Sequence, residues 1–252
     1  MRVVYGMNPV RELLRAGAEG LTELWLAEGG ERPRAFADLE RIARDHGAKV
    51  RAAPRARLDR LAGVTQHQGI VAVVADYRYR EVDDILGVAR ESGKPPLLVL
   101  LDGVEDPHNL GAVVRSAHAL GAHGVVIPRD RAASVTPSAA KASAGAVEHM
   151  AIARVTNLVR TIEGLRELGI WTVAAVPDGD QDLASVDLRG ATALVIGGEG
   201  QGVRPLVRRA CDHAARIPMA GRVGSLNASA AAAIALYEAM RQRAESAGKT
   251  LA

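Results

Sequence analysis

A chain of 252 residues with 48% apolar content can bury one large core or two modest ones, which excludes disorder as its default state. Aromatic residues supply only 3%, so Val, Leu, Ile and Ala must build that core. The lone cysteine, Cys211, excludes an internal disulfide and any multi-cysteine metal site. No apolar run reaches the roughly 18 residues of a membrane span, and the N-terminus lacks a signal-peptide pattern, so a cytoplasmic protein with no membrane partner is expected. The net charge of +3 is unevenly spread: residues 1–80 carry 14 Lys+Arg against 10 Asp+Glu, and residues 81–252 carry 18 against 19. The positive charge is densest at Arg51, Arg55, Arg57 and Arg60. A basic unit joined to a near-neutral one suggests that the first holds a polyanion while the second does chemistry. The alternative is an Arg-rich face that merely meets solvent.

In chain order, Asn8-Pro9 opens a helical pattern through Val10, Leu13 and Leu14, with Pro9 suited to the first turn. Leu24–Ala27 reads as a strand, Ala35–His46 as a helix, Lys49–Ala52 as a strand and Arg55–Leu61 as a short helix. Gly69–Ala75 is a continuous apolar run of strand length, as in a strand buried on both faces. These elements make a small α/β domain over residues 1–76. Residues 77–96, with a short helical pattern at Val82–Arg90 and a Ser-Gly-Lys-Pro-Pro break, read as a linker. The second domain, 97–252, alternates strands at Leu97–Leu101, Gly124–Ile127, His149–Val155, Ile170–Val176, Thr192–Ile196 and Ala215–Pro218 with helices. Those helices are predicted at Leu110–Leu120, Ser138–Ala144, Leu158–Leu168, Val203–Cys211 and Ala228–Arg243. Such alternation predicts a largely parallel sheet covered on both faces.

Ligands of open parallel sheets collect beyond the carboxyl ends of the strands. Three strand-to-helix junctions carry polar or glycine-rich sequence there: Asp102–Gly111, leading to Arg115; Ile196–Gly202; and Ile217–Gly221, continuing through Ser225-Leu226-Asn227-Ala228-Ser229. Singly, each has a plain reading as a flexible turn or a helix cap. Gly197–Gly202 is not the G-x-G-x-x-G of dinucleotide binding and lacks the acidic ribose clamp in a following strand. No phosphate-binding G-x-x-x-x-G-K-[ST] loop is present, and no histidines show metal-ligand spacing, so no metal is expected.

Asn109-Leu110-Gly111 with Arg115, then Gly197-Gly198-Glu199-Gly200, then Ile217-Pro218-Met219 with Ser225–Ser229, resemble in order and spacing the three motifs of the SpoU family of RNA ribose 2′-O-methyltransferases, within the SPOUT superfamily. Tyr5-Gly6-Met7-Asn8-Pro9-Val10 resembles the start of the L30e-type RNA-binding domain of one branch. Gly198 stands where the family often has Ala, and Ala228 where it often has Val. The resemblance implies a deep trefoil knot, with S-adenosylmethionine held in it largely by backbone around Gly197, Gly198, Ile217, Met219, Leu226 and Ala228. It also implies a homodimer with active sites at the interface, and catalytic residues Arg115, Asn109, Glu199, Ser225 and Asn227. The implied substrate is RNA, a guanosine of 23S rRNA fitting best, with an adenosine of 23S rRNA or a tRNA as alternatives. A non-enzymatic RNA-binding or ribosome-assembly protein is the reading outside enzymology.

The resemblance implies a catalytic role for Arg115 that is sometimes described as that of a base. Arginine is effectively always protonated, so Arg115 is read instead as a cation that holds the adjacent phosphate and the developing alkoxide. Glu199 has an alternative role bonding backbone amides. His108 is expected to make ordinary solvent or capping contacts, and Cys211 to pack in the core.

Overall fold

The computed structural model describes residues 1–29 and 34–248. The first strand, β1 (Arg2–Tyr5), is too short for its alternation to register in the sequence. It is followed by α1 (Met7–Arg15), β2 (Leu21–Ala27), α2 (Arg34–Asp45), β3 (Lys49–Ala53), α3 (Arg55–Ala62) and β4 (Ile70–Val74). They form a four-stranded sheet in the order β1-β4-β2-β3, with β4 antiparallel to both neighbours and β2 parallel to β3. β4, one of the two inner strands, is the strand buried on both faces that its apolar run predicts. One face packs Val4, Leu24 and Ile70 against Val10, Leu13 and Phe36 of α1 and α2, while Val71 on the other face meets Leu58 of α3.

Residues 77–96 differ from the expected linker. Tyr77 donates its hydroxyl to the Met150 carbonyl at 3.0 Å, and Tyr79 Oη accepts from the Val135 amide at 2.9 Å. Arg80 bridges Ala153, and α4 (Val82–Ser92) buries Ile85, Leu86 and Ala89 in the core of the second domain. The many charges on this stretch cover one side of a helix whose other side is apolar, which is why its composition resembles a connector.

The second domain holds β5 (Leu97–Asp102), α5 (Pro107–Ala119), β6 (Gly124–Pro128), α6 (Pro137–Ala142), β7 (Ala151–Val155), α7 (Leu158–Glu167) and β8 (Trp171–Ala175). Then follow the two-residue β9 (Gln181–Asp182), β10 (Thr192–Gly197), α8 (Pro205–Ala210), β11 (His213–Arg216) and α9 (Ala228–Ser246). All seven strands are parallel, in the order β7-β6-β5-β10-β8-β11-β9. The strand expected at Ala215–Pro218 lies two residues earlier, and that expected from His149 begins at Ala151 after a 3-10 turn over Ala146–Glu148. The sheet is buried on both faces. Leu97, Val99 and Leu101 of β5 face α5 and α9, while Leu98 and Leu100 face α4 and α7.

The two domains meet along α1, β1, α6 and the 3-10 turn. Arg2 donates both terminal nitrogens to Glu148 at 2.7 Å, with side chains only 11% and 6% exposed. His149 Nε2 lies 3.0 Å from Glu12 Oε2 beside this pair. A buried ion pair of this kind fixes the relative orientation of its elements, because separating them strands a charge.

Candidate active site

β10, late in the sequence, lies between β5 and β8, so the order in which the chain adds strands reverses between β5 and β10 while the strands stay parallel. The crevice at such a switch point is where parallel sheets bind ligands. Asp102 and Gly197 are register partners at that point. Asp102 is fully buried and accepts from the Arg204 backbone amide and Nε, each at 2.7 Å, with Arg204 Nη2 at 2.6 Å. This bidentate pair ties the start of α8 to the end of β5 and closes the 198–204 loop. A lone carboxylate ending the apolar run Leu97–Leu101 was the available signal for it, since a buried charge requires a partner.

Within the loop, the Gly198 amide donates to the Asp102 carbonyl at 2.8 Å, and the Gly202 amide to the Gly198 carbonyl at 3.1 Å. A Cβ on Gly197 would stand 2.0 Å from the Gly202 carbonyl carbon, and one on Gly198 would stand 1.8 Å from the Gly103 oxygen. Both glycines are therefore required by backbone packing. Alanine, frequent in the family at position 198, needs the Gly103 loop placed differently.

The loop walls a cavity of about 490 Å³. It brings together Gly197, Gly198, Glu199, Ile217, Met219, Ser225, Leu226, Asn227 and Ala228, from the second and third junctions. Ala175, Val176 and Pro177, at the end of β8, complete the wall and were not anticipated; only their position in the sheet order reveals them. Apolar side chains and bare backbone lining a concave site of this size suit a nucleoside-bearing ligand. The glycine-flanked loop and the apolar walls of Ile196, Ile217 and Leu226 can take a ligand of that kind, S-adenosylmethionine included.

At the mouth, three polar side chains form a hub. Asn227 Nδ2 donates to Glu199 Oε1 at 2.7 Å and to Asn109 Oδ1 at 3.0 Å, and Asn109 Nδ2 donates to the same Glu199 oxygen at 3.1 Å. Asn227 Oδ1 accepts from the Ser229 and Ala230 amides at 2.9 and 3.4 Å, capping α9. Asn227 is thus both helix cap and site residue. Asn109 is largely buried in the first turn of α5, where Asp106 caps the helix by accepting from the His108 amide. The structure thus joins one residue from each of the three junctions.

Arg115 stands apart. It projects exposed from α5, does not line this cavity, and has no hydrogen bond or ion pair among the described residues. His108 contacts Ser138 Oγ at 3.0 Å and lies outside the cavity. Burial pushes the Cys211 thiol up to about 12. Among the described residues no cluster of His, Cys, Asp and Glu could hold a metal ion, and no helix is long and apolar enough to cross a membrane.

On the first domain, Arg51, Arg55, Arg57 and Arg60 are all exposed. The guanidinium carbons of Arg51 and Arg57 lie 5.4 and 5.5 Å from the Trp25 ring centroid, and Arg51 also pairs with Glu23 at 3.3 Å. Trp25 was not singled out in the sequence, yet it adds an aromatic surface to the basic cluster.

Family models match nearly the whole chain: the SpoU rRNA methylase family over residues 96–237, and an RNA 2′-O ribose methyltransferase substrate-binding domain over residues 3–80. A Bacillus subtilis protein, YacO, assigned to the TrmH family of tRNA/rRNA methyltransferases, is 45% identical over 95% of both chains. The 23S rRNA (guanosine-2′-O-)-methyltransferase RlmB of Pseudomonas syringae pv. tomato is 42% identical, again over 95% of both. Among solved structures, the SpoU methyltransferase AviRb of Streptomyces viridochromogenes, in complex with S-adenosylmethionine, superposes with a TM-score of 0.81 at 32% identity, covering 96% of this chain and 89% of its own. Likeness of this extent, carried through both domains, makes the chain a member of the SpoU family, RNA 2′-O-methyltransferases that use S-adenosylmethionine.

Proposed function

We propose that the chain methylates the ribose 2′-hydroxyl of a guanosine in 23S rRNA, in the cytoplasm and as a homodimer. The observation that carries this reading is the Asn109–Glu199–Asn227 hub at the mouth of the glycine-walled cavity. S-adenosylmethionine supplies an electrophilic methyl group when bound there. The chain's own residues then have two tasks. Asn109, Glu199, Ser225 and Asn227 hold the ribose so that its 2′-oxygen is aligned with the cavity mouth, and alignment is a large part of such catalysis. Arg115 remains a guanidinium throughout and steadies the adjacent phosphate and the negative charge that grows on the 2′-oxygen as the hydroxyl proton passes to that phosphate or to water.

The exposure of Arg115 supports the homodimer. Ala230, Ile234 and Tyr237 are exposed at helical spacing on α9, which packs beside α5, and Ile234 and Tyr237 are 41% and 50% exposed. An exposed apolar stripe and an unpaired cation on two helices packed together suit a second copy, whose site Arg115 would complete. The C-terminal segment 217–227, which shares one cavity with the 197–202 loop, forms the trefoil knot of the family in this reading. Residues 1–76 act as the L30e-like RNA-capturing unit, through Arg51, Arg55, Arg57 and Arg60. The 42% identity with an enzyme named for a 23S rRNA guanosine supports that target. Incubation with radiolabelled cofactor and either 23S rRNA or bulk tRNA tests it. Label in 2′-O-methylguanosine from the rRNA digest is expected; label confined to tRNA overturns the substrate, and 2′-O-methyladenosine overturns the base.

A further inference from the structure

The 198–202 loop has a second side. There a cavity of about 540 Å³ opens, sharing Gly198, Glu199, Gln201 and Gly202 with the cofactor cavity as a common wall. It is bounded by four carboxylates, Asp102, Glu105, Asp106 and Glu199, and two guanidinium groups, Arg131 and Arg204. Most of these charges are spent. Asp102 and Arg204 pair with each other, one Asp106 oxygen caps α5, and Glu199 Oε1 accepts from both asparagines. Two are left with no hydrogen bond or ion pair among the described residues: Glu105, in the exposed loop before α5, and Arg131, in the turn after β6. Arg131 has a φ of 54°, a left-handed conformation that bulky side chains seldom adopt and that tends to persist where a site requires it.

Carboxylates outnumber cations here, so the cavity repels a phosphate. It suits a neutral ring that offers donors to a carboxylate and acceptors to an arginine. Its position narrows the choice further. Asn109 and Glu199, the proposed ribose holders, stand in its wall, so a base carried on that ribose enters this cavity and not the one filled by cofactor. We propose that this cavity receives the base of the target nucleotide and that Glu105 reads it as guanine. The Glu105 carboxylate accepts from N1–H and the N2 amine together, while Arg131 faces the O6 and N7 acceptors. Guanine alone presents two adjacent donors on its Watson–Crick edge; adenine and cytosine set one amine beside an acceptor, and uracil has one donor between two acceptors. Enzymes acting on unpaired or extruded nucleotides commonly read that edge.

This inference rests on the proposed guanosine target, and its test separates the two. The hairpin of 23S rRNA methylated by the wild-type protein is synthesised with guanosine or with inosine, which lacks the N2 amine, at the modified position. Wild-type kcat/KM should fall about tenfold on inosine. Glu105→Ala should lose roughly tenfold to a hundredfold on guanosine, the range of a bidentate base contact, and should treat the two RNAs alike, with an unchanged Kd for S-adenosylmethionine. Arg131→Ala should weaken both RNAs by one common factor, because inosine keeps O6 and N7. A Glu105→Ala protein that preserves the wild-type guanosine-to-inosine ratio overturns the role of Glu105 and leaves the substrate standing. A wild-type protein that methylates no guanosine overturns the substrate, and this inference with it.

Discussion

Replacing Asn227 by aspartate isolates the electrostatics of the hub. The substitution keeps the side-chain oxygen that caps α9 and exchanges only the Nδ2 that donates to Glu199 and Asn109. A carboxylate oxygen then stands where a donor stood, 2.7 Å from Glu199 Oε1. Coulomb's law gives about 6 kcal/mol of repulsion at an effective dielectric near 20 and about 1.5 kcal/mol in bulk water. Both side chains are exposed, so the lower figure governs, and with a lost hydrogen bond the penalty is about 2 kcal/mol. That lowers Tm by roughly 4–8 °C for a protein of this size. The penalty must depend on pH. The facing carboxyls retain a proton in the folded state to higher pH than in the unfolded chain, where they titrate near about 4. The folded state therefore binds more protons above that pH, and stability falls as pH rises through the window. Thermal melts of wild type and Asn227→Asp at pH 4.5 and pH 8 should show a small deficit at the first and the full deficit at the second. Asn227→Ala, which removes the cap at a cost of about 1 kcal/mol and the donor to Glu199 but adds no charge, should show a deficit that changes less between the two pH values than that of Asn227→Asp. Adding Glu199→Gln to Asn227→Asp should recover most of the loss at pH 8. An equal Asn227→Asp deficit at both pH values, or one that survives Glu199→Gln, would refute the geometry of the hub.

Arg115→Ala should abolish turnover while the Kd for S-adenosylmethionine, measured by calorimetry, stays within about twofold, because Arg115 lies outside its own chain's cavity. Gly197→Ala forces a methyl into the Gly202–Val203 backbone; overpacking costs about 1–3 kcal/mol, so cofactor Kd should rise roughly fivefold to 150-fold, and normal binding would show that the loop yields freely. Arg2→Ala strands the buried Glu148 and should cost about 3 kcal/mol or more in urea denaturation, with faster proteolysis near residues 75–81; an unchanged midpoint would mean the domain joint does not depend on this pair.

What the sequence conveyed well was periodicity and punctuation. The run Leu97–Leu101 and the alternation of apolar strands with helices were enough for a parallel sheet, and parallel strands place all their junctions at one edge. The three motif segments were therefore legible as neighbours from the sequence. Three things were not. Strand order is invisible to periodicity, so the contribution of Ala175–Pro177 to the cavity had no local signal. Pairings across more than a hundred residues, such as Asp102 with Arg204 and Arg2 with Glu148, join side chains that look like ordinary surface charges in one dimension. The packing of Ile85, Leu86 and Ala89 was masked by the charges interleaved with them. Exposure of Arg115 also escaped notice, because its place six residues after Asn109 suggested one site, whereas 3.6 residues per turn carry it to another part of the helix surface.

The place of β10 in the middle of the sheet has a consequence for how the protein is made. The first domain pairs strands that all lie within residues 2–74, so it can be complete while the rest is still being synthesised. The second domain cannot. Until residues 192–197 emerge, β5 and β8 each present an unpaired apolar edge to the other with nothing between them, the arrangement most prone to join with foreign strands. The walls that meet S-adenosylmethionine come from the ends of β8 and β10 and from residues 217–231, so that cavity is not complete until the last of these segments has been added. Cofactor capture is consequently a late event in the life of each molecule, and the ligand reports that the central strand has been seated.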